Sequence, residues 1–236
     1  MATIPERLHL FAGDALLSLW DYVGRTAAIR PGTARARRFR RFGDGAAICF
    51  PVAALFGEEH IDVGDGCIVG PYVSMSAGIM PGATGGRSPR LTIGDRCLIG
   101  KGSGIVCHES IELGDDIFTG HYVYITDSSH GYEDTTLPIG AQFGEVLPVR
   151  VGAGTWLGHG SVVLPGADIG RHVVVGAGAV VTGTIPDSSV AVGSPARVIR
   201  RYLTGEGWVR VNEHVEHADH HPDLHPPSGA AQAGDG

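Results

Sequence analysis

Aliphatic residues recur at every sixth position through the middle of the chain, and most of them are followed by glycine. From residue 151 onward the spacing is unbroken, with aliphatic residues at Val151, Leu157, Val163, Ile169, Val175 and Val181. Such a repeat predicts one short strand and one turn per six residues. The aliphatic side chain is expected to point inward, and the glycine to let the chain bend where a Cβ would clash. Three units would close a coil, and stacked coils would pair as parallel strands ~4.8 Å apart.

Departures from this spacing predict where loops leave the coils. A coil that begins at Val63 should be followed by one at position 81, but the next begins at Ile93. The following coils begin at Leu113 and Val151, so the three excesses over 18 residues are 12, two and 20. Each excess follows the third strand of its coil. The sequence therefore predicts three loops on one corner, over residues 79–92, 107–110 and 126–148.

A stack of loops on one edge of a rigid scaffold is typical of a functional site. Simple tolerance of insertions at an exposed corner is the alternative.

The two ends of the chain lack the six-residue spacing. Residues Phe11–Val23 place Leu16, Leu19 and Trp20 on one helical face, which predicts a helix that covers the open first coil. Five arginines lie within residues 35–41. We interpret this segment as a solvated strand or loop at the base, and contact with an anionic substrate or a membrane surface is the alternative. The His-, Pro- and Gly-rich tail from Thr204 is predicted to be disordered.

Composition narrows the class of protein. Of 236 residues 37 are glycine, more than twice the usual ~7%, so the chain must turn often. The net charge of −7 disfavours nucleic acid as a partner. Four cysteines without a CxxC pair favour a reduced, intracellular protein, and we expect a cytoplasmic location. No apolar stretch reaches ~18 residues and no signal peptide is evident, so stable membrane insertion is not expected.

From Ile61 to Arg201 the repeats resemble those of left-handed parallel β-helix proteins, and the handedness is implied by that resemblance. The resemblance is to hexapeptide O-acetyltransferases of the galactoside and maltose acetyltransferase type. The predicted fold class is therefore all-β, with a helical and basic cap at residues 1–45, a left-handed β-helix acyltransferase domain at 46–201 and a flexible tail at 202–236. The resemblance also implies a homotrimer, with acceptor and CoA between neighbouring prisms.

A histidine in the longest loop is the candidate catalytic group. His130 follows Thr126–Ser129, and a histidine suits deprotonation near neutral pH because its ordinary pKa is ~6.5. The resemblance implies that His130 is the general base for direct transfer of an acetyl group from acetyl-CoA to a hydroxyl of a sugar or related molecule. Glu145 and Asp127 are the candidates that orient it. The tetrahedral oxyanion would need a nearby donor, usually a backbone N–H.

The last coils resemble the cofactor segment of the same family. The matching positions for pantetheine are Ala177 and Thr182, and those for the CoA phosphates are Arg197 and Arg200, where guanidinium groups suit the task. Gly183 replaces a lysine that is common in the family after Thr182.

Two further residues are assigned to the acceptor by their positions. His108 lies in the two-residue bulge one coil before His130, and it could line the acceptor site or only be an exposed bulge residue. Trp156 matches a tryptophan that is common in the family near the active cleft. It would wall the acceptor or pantetheine channel, or pack between subunits. No metal is expected.

Other functions compete with O-acetyl transfer. An N-acetyltransferase acting on an amino sugar is the nearest variant. A γ-class carbonic anhydrase would need three zinc histidines, two of them five residues apart, and no candidate histidine has this spacing. The histidines considered are His108, His121, His130, His159 and His172. A non-catalytic β-helix scaffold is the third possibility, because fold does not determine function.

Overall fold

Three parallel sheets form the sides of a three-sided prism in the computed structural model, which describes residues 4–82 and 88–211. One α-helix, α1 (Ile4–Thr26), precedes the strands. Short 3-10 helices occupy Ala36–Arg38, Glu58–His60 and Ile139–Ala141. Most of the His-, Pro- and Gly-rich tail for which disorder is predicted, residues 212–236, lies outside the described residues.

The strands are β1 (Arg41–Phe42), β2 (Ala47–Ile48), β3 (Ala54–Phe56), β4 (Ile61–Val63), β5 (Ile68–Val69), β6 (Ser74–Ala77), β7 (Arg90–Ile93), β8 (Leu98–Ile99), β9 (Gly104–Cys107), β10 (Ser110–Leu113), β11 (Phe118–Thr119), β12 (Tyr124–Thr126), β13 (Ser128–His130), β14 (Phe143–Val146), β15 (Val149–Val151), β16 (Trp156–Leu157), β17 (Val162–Val163), β18 (Asp168–Ile169), β19 (Val174–Val175), β20 (Val180–Val181), β21 (Thr184–Ile185), β22 (Ser189–Val192), β23 (Arg197–Leu203) and β24 (Gly207–Arg210).

Successive strands go to successive sides of the prism. The first face has the order β1-β4-β7-β10-β15-β18-β21, the second β2-β5-β8-β11-β16-β19-β22, and the third β3-β6-β9-β12-β17-β20. The pairing is parallel and in register, with Leu113 opposite Ile93 on one side and Val151 on the other. The predicted all-β helix of six-residue units is therefore confirmed.

Aliphatic side chains fill the interior as the repeat predicts. All six positions of the unbroken run are buried, and Leu157, Val163 and Val175 have no exposed surface. Burial of each such side chain contributes about 1.5–3 kcal/mol relative to exposure. The interior is one continuous apolar core that extends from Ile29 to Ala191.

The base of the prism is closed by residues 28–39. Ile29 pairs with Ile48, and both Ile29 and Phe39 are buried. By contrast, Leu16 and Leu19 of α1 are 67% and 57% exposed. The prediction that the helix covers the first coil is therefore wrong, because the segment after the helix has already filled that space.

Carboxylates of the first coils pair with the arginine-rich segment. The Nε of Arg35 lies 2.7 Å from Oε1 of Glu58, and the Nε of Arg40 lies 3.4 Å from Oδ1 of Asp62. Arg41 lies 3.1 Å from Asp65. The segment thus lies at the base, as predicted, and β1 within it belongs to the β-helix. The β-helix therefore begins at Arg41 and not at residue 46, the boundary predicted from the sequence.

The sheet also continues further at its C-terminal end than predicted. β23 is antiparallel to β22, and β24 is antiparallel to β23. The boundary predicted at residue 202 falls within β23, and the disorder predicted from Thr204 is wrong for the described residues up to Val211. The sequence analysis missed this hairpin because its strands are antiparallel and lack the six-residue spacing by which the other strands were predicted.

Candidate active site

All three irregular connections leave the prism at one corner. They join β6 to β7, β9 to β10, and β12 to β15, and each runs from the third face to the first face. The predicted common corner is confirmed. Part of the first connection, residues 83–87, lies outside the described residues.

A hairpin arm forms the longest connection. β13 and β14 pair antiparallel, with Ser128 opposite Val146 and His130 opposite Phe143. At its neck, the N–H of Leu147 donates to the carbonyl of Asp127 at 2.8 Å. The arm is therefore attached to the rigid prism where it begins and ends.

The tip of the arm is tied together by Gln142. Its Nε2 donates to the carbonyls of Asp134 at 2.9 Å and Leu137 at 3.2 Å, and its Oε1 accepts from the N–H of Asp134 at 3.2 Å. These bonds determine where the Gln142 backbone lies relative to β13.

The His130 imidazole contacts the backbone of Gln142. Its Nδ1 lies 3.2 Å from the Gln142 carbonyl oxygen, and the side chain is otherwise exposed. In the tautomer that donates from Nδ1 to this carbonyl, Nε2 carries the lone pair and can accept a proton. Sequence reasoning missed Gln142, since a backbone carbonyl has no signature in the sequence.

The imidazole borders a cleft of about 450 Å³ in the arm. The lining residues are Ser129, His130, Gly131, Tyr132, Glu133, Phe143, Gly144 and Glu145. Tyr132 and Phe143 are 73% and 81% exposed, so they form apolar walls that nothing in this chain covers among the described residues. Backbone N–H groups of Glu133 itself and of Tyr132 hold the pKa of the Glu133 carboxyl below its usual value.

Of the two predicted orienting carboxylates, the structure brings Glu145 into the cleft with His130. Asp127 is fully buried instead. Its Oδ1 accepts from the N–H of His108 at 2.8 Å, and its Oδ2 from the N–H groups of Glu109 and Ser110 at 2.7 and 2.8 Å. Asp127 thus holds the short connection between β9 and β10, and His108 lies within that connection, outside the cleft lining.

The cysteine nearest to this corner is protected from reaction. Cys107 is buried, and burial together with the nearby Asp127 charge raises the pKa of its thiol to about 12. The thiol therefore stays protonated, and hence a poor nucleophile, at neutral pH.

The remaining predicted residues lie elsewhere on the prism. Trp156 is on the second face, where its ring stacks on Phe118 with centroids 6.3 Å apart. Ala177 and Thr182 are exposed in turns of the upper coils, and Arg197 and Arg200 are exposed on β23. None of these residues lines the His130 cleft of the same chain.

The described part of the chain contains neither a cluster of candidate metal ligands nor a candidate membrane-spanning helix. No group of three or more His, Cys, Asp or Glu side chains is placed to hold a metal ion within residues 4–82 and 88–211. Within the same residues, no helix is both long and apolar enough to span a membrane.

Two family models match the repeats. Residues 148–183 match the bacterial transferase hexapeptide (six repeats), and residues 90–126 match the hexapeptide repeat of succinyl-transferase.

Similar sequences occur among named acetyltransferases. "Probable acetyltransferase Rv3034c" of Mycobacterium tuberculosis is 44% identical over 117 residues, which are 49% of this chain and 39% of that protein. The galactoside O-acetyltransferase of Lactococcus lactis is 36% identical over 130 residues, covering 46% of this chain and 62% of that protein. The chain thus spans about two fifths of the length of the first of these relatives and about three fifths of the second.

A solved structure shares the fold. It is a variant of AntD, an N-acyltransferase from Bacillus cereus, in complex with dTDP and coenzyme A. The TM-score is 0.60 at 18% identity, and the match covers 72% of this chain and 90% of the other. Together with the family models, this match confirms the predicted fold, a left-handed parallel β-helix of hexapeptide repeats.

Proposed function

We propose that this hexapeptide-repeat protein is an acyltransferase that moves an acetyl group from acetyl-CoA to a hydroxyl of a sugar or related small molecule. The observation that carries the proposal is the His130 imidazole, which contacts the Gln142 carbonyl through Nδ1 at the edge of an open cleft. The similarity of the repeats to named acetyltransferases, including a galactoside O-acetyltransferase, supports the reaction class.

The proposed chemistry is direct transfer. Nε2 of His130 removes the proton of the acceptor hydroxyl while its oxygen attacks the thioester carbon of acetyl-CoA. The tetrahedral intermediate collapses with cleavage of the C–S bond, and the imidazolium returns the proton to the departing CoA thiolate. The products are the acetyl ester and free CoA. Glu145, on the same cleft, stabilises the imidazolium electrostatically in this proposal.

Acetyl-CoA enters as a co-substrate. In the proposal, Ala177 and Thr182 lie along pantetheine, Arg197 and Arg200 meet the phosphates, and the acceptor contacts His108 and Trp156. Because these residues lie outside the His130 cleft of their own chain, a neighbouring subunit must complete the site.

A column of apolar side chains on the second face supports association into a homotrimer. Ile68, Leu98, Phe118 and Trp156 are successive partners across four strands, and each is between 41% and 49% exposed. Exposed apolar patches of this kind mark interaction sites. We call these four residues the apolar column.

The proposal is tested by release of thiol from acetyl-CoA in the presence of sugars, amino sugars and nucleotide sugars. His130→Ala is expected to lower kcat by about 10²–10⁴-fold, since the general base is lost. Glu145→Gln should have a smaller effect. His172→Asn is the matched control, because His172 is an exposed histidine outside the cleft and Asn tolerates its left-handed backbone (φ 59°).

Unchanged turnover in His130→Ala would contradict the mechanism. Transfer to amino sugars but not to hydroxyl acceptors would replace O-transfer with N-transfer, which could use the same base.

A further inference from the structure

The C-terminal hairpin presents four large side chains on one surface. Across the β23–β24 pair, Arg200 lies opposite Arg210 and Tyr202 lies opposite Trp208. Because alternate residues of a strand point to the same side and directly opposed residues share a side, these four side chains share one face of the hairpin. We call this surface the hairpin face.

The two arginines of the hairpin face have no counter-charge among residues 4–82 and 88–211. Like charges directly opposite each other in a sheet destabilise it. The arginines at the base pair with Glu58, Asp62 and Asp65, but neither Arg200 nor Arg210 makes an ion pair with any carboxylate in the described parts of the chain. Arg200 and Arg210 thus place two guanidinium groups opposite each other on one surface of a chain whose net charge is −7.

The two aromatic rings are also presented to solvent. The centroids of Tyr202 and Trp208 are 5.8 Å apart with an interplanar angle of 71°, and the side chains are 49% and 46% exposed. The T-shaped contact holds the two rings against each other while leaving ring surface open. Nothing in the described residues covers them.

Exposed aromatic rings beside guanidinium groups suit a nucleotide. Bases stack on aromatic side chains with little regard to their identity, and guanidinium binds phosphate oxygens in a bidentate manner. An apolar partner would leave the two arginines uncompensated, and a simple anion would not use the rings. A ligand that joins a base to phosphate groups satisfies both halves of the hairpin face.

We propose that the hairpin face binds the adenosine 3′-phosphate 5′-diphosphate end of CoA, an inference that rests on the proposed acyl-CoA chemistry. The adenine stacks on Trp208 with Tyr202 against its edge, since the two rings are inclined at 71°, while Arg210 contacts the 3′-phosphate and Arg200 the 5′-diphosphate. Arg197, on the same strand, extends this cationic surface toward the last coil of the prism. The new assignments are Tyr202, Trp208 and Arg210, which follow the last hexapeptide repeat.

A nucleotide-sugar acceptor would share this chemistry, so the experiment separates the two sources. Isothermal titration calorimetry with the full chain compares CoA, dephospho-CoA and dTDP as ligands. Arg210→Gln is expected to weaken CoA by roughly tenfold, in the range of a charge-assisted hydrogen bond, and to change dephospho-CoA by less than about twofold. Trp208→Ala should weaken both by about 5–100-fold, and Trp208→Phe should recover most of the loss because it keeps a stacking ring.

Arg150→Gln is the matched control, since this exposed arginine pairs with Glu112 on the first face and should leave all three affinities unchanged. Circular dichroism would check that each variant is folded. Unchanged CoA affinity in both Arg210→Gln and Trp208→Ala would overturn the inference while leaving the proposed function intact. If the variants weakened only the binding of dTDP, the inference would be overturned, and the hairpin face would bind a nucleotide-sugar acceptor instead of CoA. A wild-type chain that binds no CoA would overturn both proposals.

Discussion

Glycine has two separable functions in each repeat. The glycine that follows the aliphatic residue does not adopt the left-handed backbone, and at Gly120 a Cβ would come within 2.6 Å of the backbone nitrogen of His159 in the next coil. The residue two positions later has the left-handed backbone, as at Gly102 (φ 70°) and Gly160 (φ 64°). Close approach of neighbouring coils therefore requires the first glycine, and the bend predicted from the sequence belongs to the second position.

The close approach of neighbouring coils predicts that an added methyl group lowers stability at Gly120 but not at a glycine with open space around it. Gly120→Ala forces a Cβ against backbone that cannot move independently, and overpacking of this kind typically costs about 1–3 kcal/mol. We expect its melting temperature to fall by several degrees, at roughly 2–4 °C per kcal/mol for a domain of this size. Gly183→Ala is the matched control, because nothing lies within 4 Å of its added Cβ. Equal melting temperatures for the two variants would contradict the explanation.

At the scale of elements, the arginine-rich segment acts as a base for the prism. Glu58 is almost completely buried beneath it, with Arg35 at 2.7 Å and Arg38 at 3.6 Å from the same carboxylate oxygen. Removal of a partner from a buried charge is costly, because the remaining charge keeps its desolvation penalty. The segment is therefore a structural element whose arginines pair with carboxylates of the first coils.

This pairing predicts that Arg35→Gln destabilises the protein by about 1–3 kcal/mol in urea unfolding. Arg37→Gln is the matched control, since the Arg37 side chain donates to the Gly32 carbonyl at 2.8 Å and makes no ion pair with the described carboxylates. The double variant Arg35→Gln/Glu58→Gln should recover part of the loss, because the buried charge that has lost its nearest partner is then absent. Identical losses for Arg35→Gln and Arg37→Gln would show that the buried pair contributes nothing specific.

At the scale of the whole molecule, the prism separates the proposed catalytic base from Trp156, which the proposal places at the acceptor. His130 lies on an arm at the corner between the third and first faces, whereas Trp156 lies on the second face. The aromatic walls of the cleft and the apolar column are both exposed. The proposed homotrimer would cover these surfaces together and complete each site.

Disruption of the apolar column should therefore separate the subunits. We expect Phe118→Glu to shift the mass measured by light scattering from trimer to monomer, since it places a charge in the centre of the column. Thiol release should fall with it, because each cleft would lose its neighbouring wall. Tyr22→Glu, at an exposed aromatic of α1, is the control. A monomeric wild-type chain that is fully active would contradict this arrangement.

Local spacing alone was sufficient to predict the interior and the corner. Val151 and Leu157 are buried because a strict six-residue period leaves one inward position per strand, and the 20-residue excess before Val151 could only leave the prism after a third strand. The role of His130 as candidate base came, by contrast, from the resemblance of that loop to the hexapeptide O-acetyltransferases. The buried positions and the looped corner follow from the spacing of residues along the chain.

Other features depend on atoms that are distant in sequence or belong to the backbone. The Gln142 carbonyl reaches the His130 ring only because a hairpin folds back across the arm, and Asp127 is committed to the amides of residues 108–110 because a neighbouring coil brings them to it. Likewise, the opposition of Arg200 and Arg210 exists only once β24 pairs with β23. The sequence by itself determined the period, and hence the prism, its core and its looped corner. Only the tertiary structure decided which polar groups meet, because hydrogen bonds and charge pairs depend on distances of a few ångströms that spacing along the chain does not encode.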